Sequence, residues 1–144
     1  MMLPREEMAF RKEYETFVTQ RKLTTVFRPG NRIYPNFRGY KPAEIITARV
    51  IEKPGCDQDK IAPVFNEIRM PIQIAEIHTL DIQKLTPSHF EGSSPDVQNV
   101  HDLINHLEYI YGTKMTAFGH EVTRICFKYL DAAPNQSQIA GQAT

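Results

Sequence analysis

The sequence lacks the features that would mark a membrane, secreted or cofactor-dependent protein. It has no apolar run of the roughly 18 to 20 residues that span a bilayer, and no apolar signal core follows Met1 to Arg5. It contains no glycine-rich phosphate loop, no G-x-S-x-G elbow and no CxxC pair. These absences predict a cytoplasmic protein with no membrane segment and no cofactor.

Residues that could bind a metal are few and poorly spaced. Cys56 and Cys126 are too few for a disulfide framework or a cysteine cluster, and Cys126 lies in an apolar run typical of a core. His101 and His106 are five residues apart, which places them on different sides of a helix. The other histidines are scattered along the chain. We therefore predict no metal site.

Size and composition predict one globular domain. The chain has 144 residues, 41% apolar and 24% charged, which excludes a collagenous, coiled-coil or wholly disordered protein. Residues 1–131 are expected to form the domain, with an insertion at about 54–70, where proline, glycine and charge break the pattern. Residues 132–144, rich in alanine, glutamine and serine, are expected to be a flexible tail.

The order of predicted elements indicates an α+β fold. Apolar steps of three and four residues, with Pro4 at a first helical position, predict a helix that ends near Gln20. Apolar alternation and β-branched residues predict strands. These strands cover Leu23–Arg28, Ala43–Ile51, Pro71–Leu80, Met115–Phe118 and Glu121–Leu130.

Two further helices are indicated by capping residues. Thr86 followed by Pro87 predicts a single turn that ends at Glu91 before Gly92. Ser94-Pro95-Asp96 predicts the start of a longer helix that Gly112 closes. Because strands and helices do not alternate strictly, the sheet is expected to be antiparallel or mixed.

Charge is concentrated in one stretch although the net charge is zero. Residues 21–49 hold seven basic residues and one acid, and aromatic residues interleave with them. Arginines bind phosphate and bases stack on aromatic rings, so the stretch predicts a nucleic-acid site. Two alternatives remain: solvated arginines around core aromatics, or an exposed apolar patch for a protein partner. The predicted binding residues are Arg21, Arg28, Arg32, Tyr34, Phe37, Arg38 and Lys41, with Tyr40 also in the stretch.

Three residues could carry catalysis. Lys22 beside Thr25 at a helix-to-strand corner could activate the threonine hydroxyl, although a surface lysine and a strand threonine fit the same letters. Glu91 could act as a general acid or base, or could be an exposed residue before a C-cap glycine. The spacing alone favours the second interpretation in both cases.

Three segments together resemble the ASCH domain family, which is related to the PUA fold. They are Phe17 to Val26, with Arg-Lys-x-x-Thr, Leu80 to Gly92, with Leu-Thr and Glu-Gly, and Thr123 to Leu130 after the Tyr109-Ile-Tyr-Gly helix end. The similarity covers about residues 10–130 in the expected order. The chain departs from the pattern at Phe27, where family members usually have an arginine.

The resemblance implies a PUA-like β-barrel of mostly antiparallel strands with flanking helices and a cleft. Similarity to the small bacterial N(4)-acetylcytidine amidohydrolases implies that Thr25 attacks the acetyl carbonyl, Lys22 takes its proton and Glu91 protonates the leaving amine. Other ASCH members are RNA binders or ribonucleases, so an RNA-binding or ribonuclease function is the alternative. The expected partner is a modified nucleoside or RNA, and the sequence leaves a homodimer open.

Overall fold

The fold is α+β, as predicted, and consists of one curled sheet with two short helices. The computed structural model describes residues 6–36, 38–56, 59–111, 114 and 119–130. The strands are β1 (Glu7–Phe10), β2 (Thr25–Pro29), β3 (Ile45–Lys53), β4 (Val64–Asp81) and β5 (Glu121–Tyr129). The helices are α1 (Glu15–Thr19) and α2 (Val100–Tyr111), with 3-10 turns at Lys12–Tyr14, Ile82–Lys84 and Pro87–Phe90.

The five strands form a half-barrel in the order β1-β3-β4-β5-β2. Only the β1–β3 pair is parallel among the described strands, so the sheet is mostly antiparallel, as the sequence predicted. Strand β4 pairs with β3 along its first half and with β5 along its second half. Register shifts in β3 and β4 mark the irregular positions where such a sheet can bend.

Two apolar clusters fill the fold. The first lies on one face of the sheet, where alternate residues of each strand point inward. It includes Ile46, Ile72 and Ile125. The second packs α2 against β2 and β5 through Phe27, Leu103 and other side chains. The second cluster therefore fixes the helix over one end of the half-barrel.

The predicted first helix is wrong in its first half. Residues Glu7–Phe10 form β1, and only Glu15–Thr19 are α-helical. Met8 and Phe10 are buried while their neighbours are not, which is the two-residue period of a strand. Pairing with β3 satisfies the backbone of this segment, so the tertiary contact outweighs the helical spacing.

The predicted break at 54–70 is also wrong in part, because β4 already begins at Val64. Ile61 and Val64 within this segment are exposed. Pro71 misled the interpretation, since proline is uncommon inside strands. Thr47 of β3 lies opposite Pro71, but its N–H donates to the Glu6 carbonyl on the side of β3 away from β4. Strand β3 therefore needs no hydrogen-bond donor from Pro71, and the proline is tolerated.

Helix α2 begins at Val100, later than the predicted start at Ser94-Pro95-Asp96. The Ser94 hydroxyl donates to Asp96 instead, and the Val97 N–H donates to the Ser94 carbonyl, which makes a turn. Asn99 caps the helix, because its side-chain oxygen accepts the N–H of Asp102 at 2.8 Å.

Other boundaries agree with the sequence. The turn after Thr86 runs over Pro87–Phe90, Glu91 lies at its C-cap and Gly92 has a positive φ of 83°. Strands β2, β3 and β5 match their predicted positions within two residues. The predicted helix end at Gly112, the strand Met115–Phe118 and the tail 132–144 lie outside the described residues. No helix within the described ranges is long and apolar enough to cross a membrane.

We expect Ile72→Ala to lower the free energy of unfolding by about 2–5 kcal/mol, because it leaves a cavity in the first cluster. The matched control is Ile45→Ala on β3, whose side chain is 45% exposed, with a loss below about 1 kcal/mol. Urea unfolding monitored by circular dichroism measures both. Equal losses would show that the core is not where the structure puts it.

Candidate functional site

A cleft of about 840 Å³ opens between β1, β2 and helix α2. This volume lies within the range of ligand sites in proteins. The cleft is bounded by the two edge strands of the sheet, β1 and β2, which the curling brings to face each other. The Arg28 guanidinium on β2 spans the gap and donates to the Ala9 carbonyl of β1 at 3.1 Å.

Two half-buried arginines in the cleft have no carboxylate partner among the described residues. Arg28 donates to the backbone carbonyls of Phe27 and Ala9. Arg32 donates to the Pro29 carbonyl and hydrogen-bonds to the Tyr111 phenol. Burial lowers the pKa of the Arg32 guanidinium, and the positive charge of Arg28 lowers it further. An anion in the cleft would relieve this repulsion.

Arg32 is positioned from β5. Its backbone N–H donates to the fully buried Thr123 hydroxyl at 2.8 Å, and that hydroxyl donates to the Gly30 carbonyl at 2.7 Å. Gly30 has a φ of 78°, the left-handed conformation that lets the chain turn directly after β2. The turn at Pro29-Gly30-Asn31 therefore holds Arg32 beside Arg28.

The carboxylate in the cleft lining is already paired with two cations. Glu7 of β1 lies in the cleft wall, and its two oxygens accept from Arg49 and Arg69 at 3.1 to 3.3 Å. Since two cations share this carboxylate, it adds little negative charge to the cleft. Glu7 therefore does little to offset the positive charge of Arg28 and Arg32.

An exposed aromatic ring lies at the rim. Tyr109 of α2 lines the cleft and is 75% exposed, although large aromatic side chains are usually buried on at least one face. The Arg11 guanidinium lies 5.8 Å from the centre of its ring. The ring and the cation together form a surface on which a flat group can stack.

Tyr14, Asp96 and His106 form a polar cluster, of which Tyr14 and His106 line the cleft wall. The Tyr14 hydroxyl lies 2.8 Å from Asp96 Oδ2 and 3.2 Å from His106 Nδ1. The Ser94 hydroxyl donates to the other oxygen of Asp96. His106 also lies 3.8 Å from Asp96 through its Nδ1.

The cluster shifts the proton affinities of its members. Burial lowers the pKa of the His106 imidazole, and although Asp96 raises it, Arg28 and Arg11 lower it further. Burial raises the pKa of Asp96, but hydrogen bonds from Ser94 and Tyr14 outweigh burial and hold it below its ordinary value. Burial and the Asp96 carboxylate raise the pKa of Tyr14. At neutral pH, Asp96 is ionised while Tyr14 and His106 are neutral.

Of the three residues predicted to be catalytic, only Thr25 lines the cleft. Its side chain is buried, and its hydroxyl donates to the Glu91 backbone carbonyl at 2.7 Å and lies 3.6 Å from Cys126 Sγ. The side chains of Lys22 and Glu91 are exposed. Within the described ranges, no side-chain hydrogen bond or ion pair joins either of them to Thr25.

Gly92 explains how Thr25 meets the Glu91 segment. The backbone N–H groups of Thr24 and Thr25 both donate to the Gly92 carbonyl, at 2.9 and 3.1 Å. A Cβ at Gly92 would overlap the Thr24 hydroxyl, and its φ of 83° disfavours other residues. The Glu-Gly pair singled out in the sequence therefore docks on β2 through its backbone.

The predicted binding residues divide into two groups. Arg28, Arg32 and Arg38 line the cleft. Arg21, Tyr34 and Lys41 do not, and the Lys41 ammonium lies over the Tyr34 ring at 4.6 Å. The remaining member, Phe37, lies outside the described residues.

An apolar patch for a protein partner does not form from the described aromatics of this stretch. Tyr40 is buried, and its hydroxyl donates to the Glu7 carbonyl at 2.7 Å. Burial raises the pKa of that phenol. Tyr40 is therefore part of the cleft wall, and of this pair only Tyr34 is exposed.

Sequence reasoning missed Tyr14, Asp96, His106 and Tyr109 as site residues. One sequence signal could have found two of them: His106 and Tyr109 are three residues apart, which places them on the same side of α2. In the part of the chain that the structure describes, no group of three or more His, Cys, Asp or Glu side chains is placed to hold a metal ion.

Comparison with known proteins shows the fold and nothing more specific. No family model matches the chain, and no curated protein matches it. The chain is similar in structure to protein EF3133 from Enterococcus faecalis V583, whose family model is DUF984, with a TM-score of 0.50 and 11% sequence identity. The match covers 85% of this chain and 72% of that one.

We expect His106 to titrate below 6.5, because burial and the cleft arginines oppose its protonation. Asp96→Asn should lower the midpoint further, since the carboxylate attracts the proton. The unfolded chain then binds the proton more readily, so this histidine costs stability as the pH falls below about 6.5. An NMR titration of the imidazole signals measures the midpoint, and a value above 6.5 would contradict the buried placement.

Proposed function

We propose that the cleft binds single-stranded RNA, with backbone phosphate on Arg28 and Arg32. The observation that carries the proposal is that these two half-buried cations have no carboxylate partner among the described residues. Arginine forks match phosphate oxygens in geometry as well as charge. A phosphate between the two guanidinium groups would offset the repulsion between them.

A base would stack at the rim of the cleft. The exposed Tyr109 ring offers a flat surface, and Arg11 adds a cation beside it. Stacking of a base on an aromatic side chain stabilises a complex by about 1–3 kcal/mol. A neighbouring phosphate site and stacking site suit a strand whose bases are unpaired, because a base within a duplex has no free face.

The fold supports a place among the ASCH domains of the PUA-like class. The supporting features are the curled, mostly antiparallel sheet, the cleft beside a helix, and the backbone contact between the Glu-Gly segment and Thr25. On this proposal the protein acts in the cytoplasm.

Arg28→Met and Arg32→Met should each weaken binding of a fluorescent single-stranded oligoribonucleotide. Each lost phosphate contact should reduce the slope of log affinity against log salt by about 0.7. Tyr109→Ala should weaken binding while leaving the slope unchanged, because stacking releases no counterions. Fluorescence anisotropy over a salt series measures both quantities.

The matched control is Lys128→Met, an exposed cation of β5 that does not line the cleft. It removes the same charge and should leave the affinity close to that of the wild type. Thermal unfolding of each variant checks that replacing Arg28, which also bridges β1 and β2, has not unfolded the protein. Binding that is insensitive to salt, or equally weakened by Lys128→Met, would exclude the proposal.

Hydrolysis of N(4)-acetylcytidine is the second candidate, and one observation favours it. Thr25, the nucleophile that the family resemblance implies, is buried at the cleft and lies against the Glu91 backbone. Lys22 and Glu91 would have to turn towards the cleft to act on it, since both side chains are exposed. The nucleoside alone carries no phosphate, so this function would leave Arg28 and Arg32 unused.

If this second function holds, the protein releases cytidine from N(4)-acetylcytidine, and Thr25→Val and Lys22→Ala both abolish the release. Thr47→Val on β3, outside the cleft lining, is the matched control and should retain turnover. Chromatography of the nucleosides measures the product. No turnover by the wild type would remove this candidate and leave RNA binding unaffected.

A further inference from the structure

We infer that His106, oriented by Tyr14 and Asp96, is a general base that cleaves RNA held in the cleft through the 2′-hydroxyl of the RNA itself. The inference rests on the proposed RNA binding and adds a reaction to it. It starts from the contact at the cleft wall between Tyr14 and two side chains far along the chain, Asp96 and His106.

The hydrogen bonds determine which nitrogen of His106 carries the proton. Asp96 is ionised and can only accept, so the 2.8 Å contact requires the Tyr14 hydroxyl to donate to it. A phenol has one hydrogen, so the Tyr14 oxygen must accept from His106 Nδ1 at 3.2 Å. The imidazole is therefore protonated on Nδ1, and Nε2 carries the lone pair.

The Nε2 lone pair is available for a substrate. His106 lines the cleft, and within the described part of the chain its only polar contacts are made by Nδ1. The Tyr14 ring meets the imidazole edge-on with centroids 5.9 Å apart, which holds the plane of the histidine. A fixed ring with a free lone pair is what general-base catalysis requires.

The surrounding charges keep His106 neutral and attract phosphate. Arg28 of β2 and Arg11, which follows β1, oppose protonation of the ring, while Asp96 and Glu13 favour it. The Arg28 and Arg32 guanidinium groups would lie beside the phosphate whose negative charge grows in the transition state. The same arginines thus serve binding and catalysis.

The reaction needs no other reactant. Nε2 takes the proton of a 2′-hydroxyl, and the oxygen attacks the adjacent phosphorus to form the 2′-O–P bond. The P–O5′ bond breaks, and the leaving 5′-oxygen takes a proton from the imidazolium or from water. The products are a 2′,3′-cyclic phosphate and a 5′-hydroxyl, with no change in oxidation state.

The test compares an oligoribonucleotide with the same sequence carrying 2′-methoxy groups. The wild type should bind both and cleave only the first, and mass spectrometry should find a product lighter than the 3′-phosphate by one water. His106→Gln should reduce cleavage by about 100-fold or more. His101→Gln, on the exposed face of the same helix and outside the cleft lining, should cleave like the wild type.

The pH profile of cleavage shows whether Tyr14 and Asp96 position His106 for catalysis or only stabilise the fold. Cleavage should rise with pH up to the pKa of His106 and then level off, because only the neutral ring is a base. Asp96→Asn should move this inflection to lower pH, and Tyr14→Phe should lower the plateau by removing the acceptor that holds Nδ1–H. Circular dichroism melts of all variants confirm that they fold.

The experiment distinguishes failure of the catalytic inference from failure of RNA binding. If the wild type binds both oligonucleotides and cleaves neither, the catalytic inference is overturned and the binding proposal stands. Cleavage that persists in His106→Gln would overturn the inference too, and would point to a contaminating nuclease or another base. If neither oligonucleotide binds, both proposals fail together.

Discussion

Strand β4 is shared between two partners, and the cleft depends on that sharing. Its first half pairs with β3 and its second half pairs with β5. The sheet therefore curls along β4 and does not lie flat. The curl brings the two edge strands, β1 and β2, to face each other without pairing. Their outward carbonyls then need donors. Tyr40 supplies one to Glu7 and Arg28 supplies one to Ala9, and these contacts form the cleft wall.

Arg28 therefore has a structural and an electrostatic role at the same position. Its guanidinium bridges the edges of the half-barrel through backbone carbonyls, which are neutral, so the bridge leaves its charge uncompensated. A carboxylate in place of a carbonyl would have closed the same gap and cancelled the field. Glu7, the carboxylate in the cleft lining, is paired with Arg49 and Arg69 and not with Arg28. The fold thus keeps these positive charges in the cleft and pairs the Glu7 carboxylate with two cations that do not line it.

Much of the fold could be predicted because its signals are local. The caps around Thr86 and Gly92, the turn at Gly30 and the strands β2, β3 and β5 depend on a few adjacent residues. The errors arose where a tertiary contact outweighed a local pattern. Glu7–Phe10 has helical spacing but pairs with β3, and Pro71 was interpreted as a boundary although it lies within β4. The assignment to the ASCH family stays a prediction, since no family model matches the chain.

The amino-acid sequence by itself determined the fold class, the position of the basic stretch and the arginines that line the cleft. Those properties follow from composition and from periods of two to four residues. The tertiary structure alone decided that Tyr14 meets Asp96 and His106, partners 82 and 92 residues away. It also decided that Lys22 stays in solvent while Thr25 lies in the cleft. The physical reason is that such meetings depend on how far the sheet curls and where α2 packs on it, and neither is encoded within a few neighbouring residues.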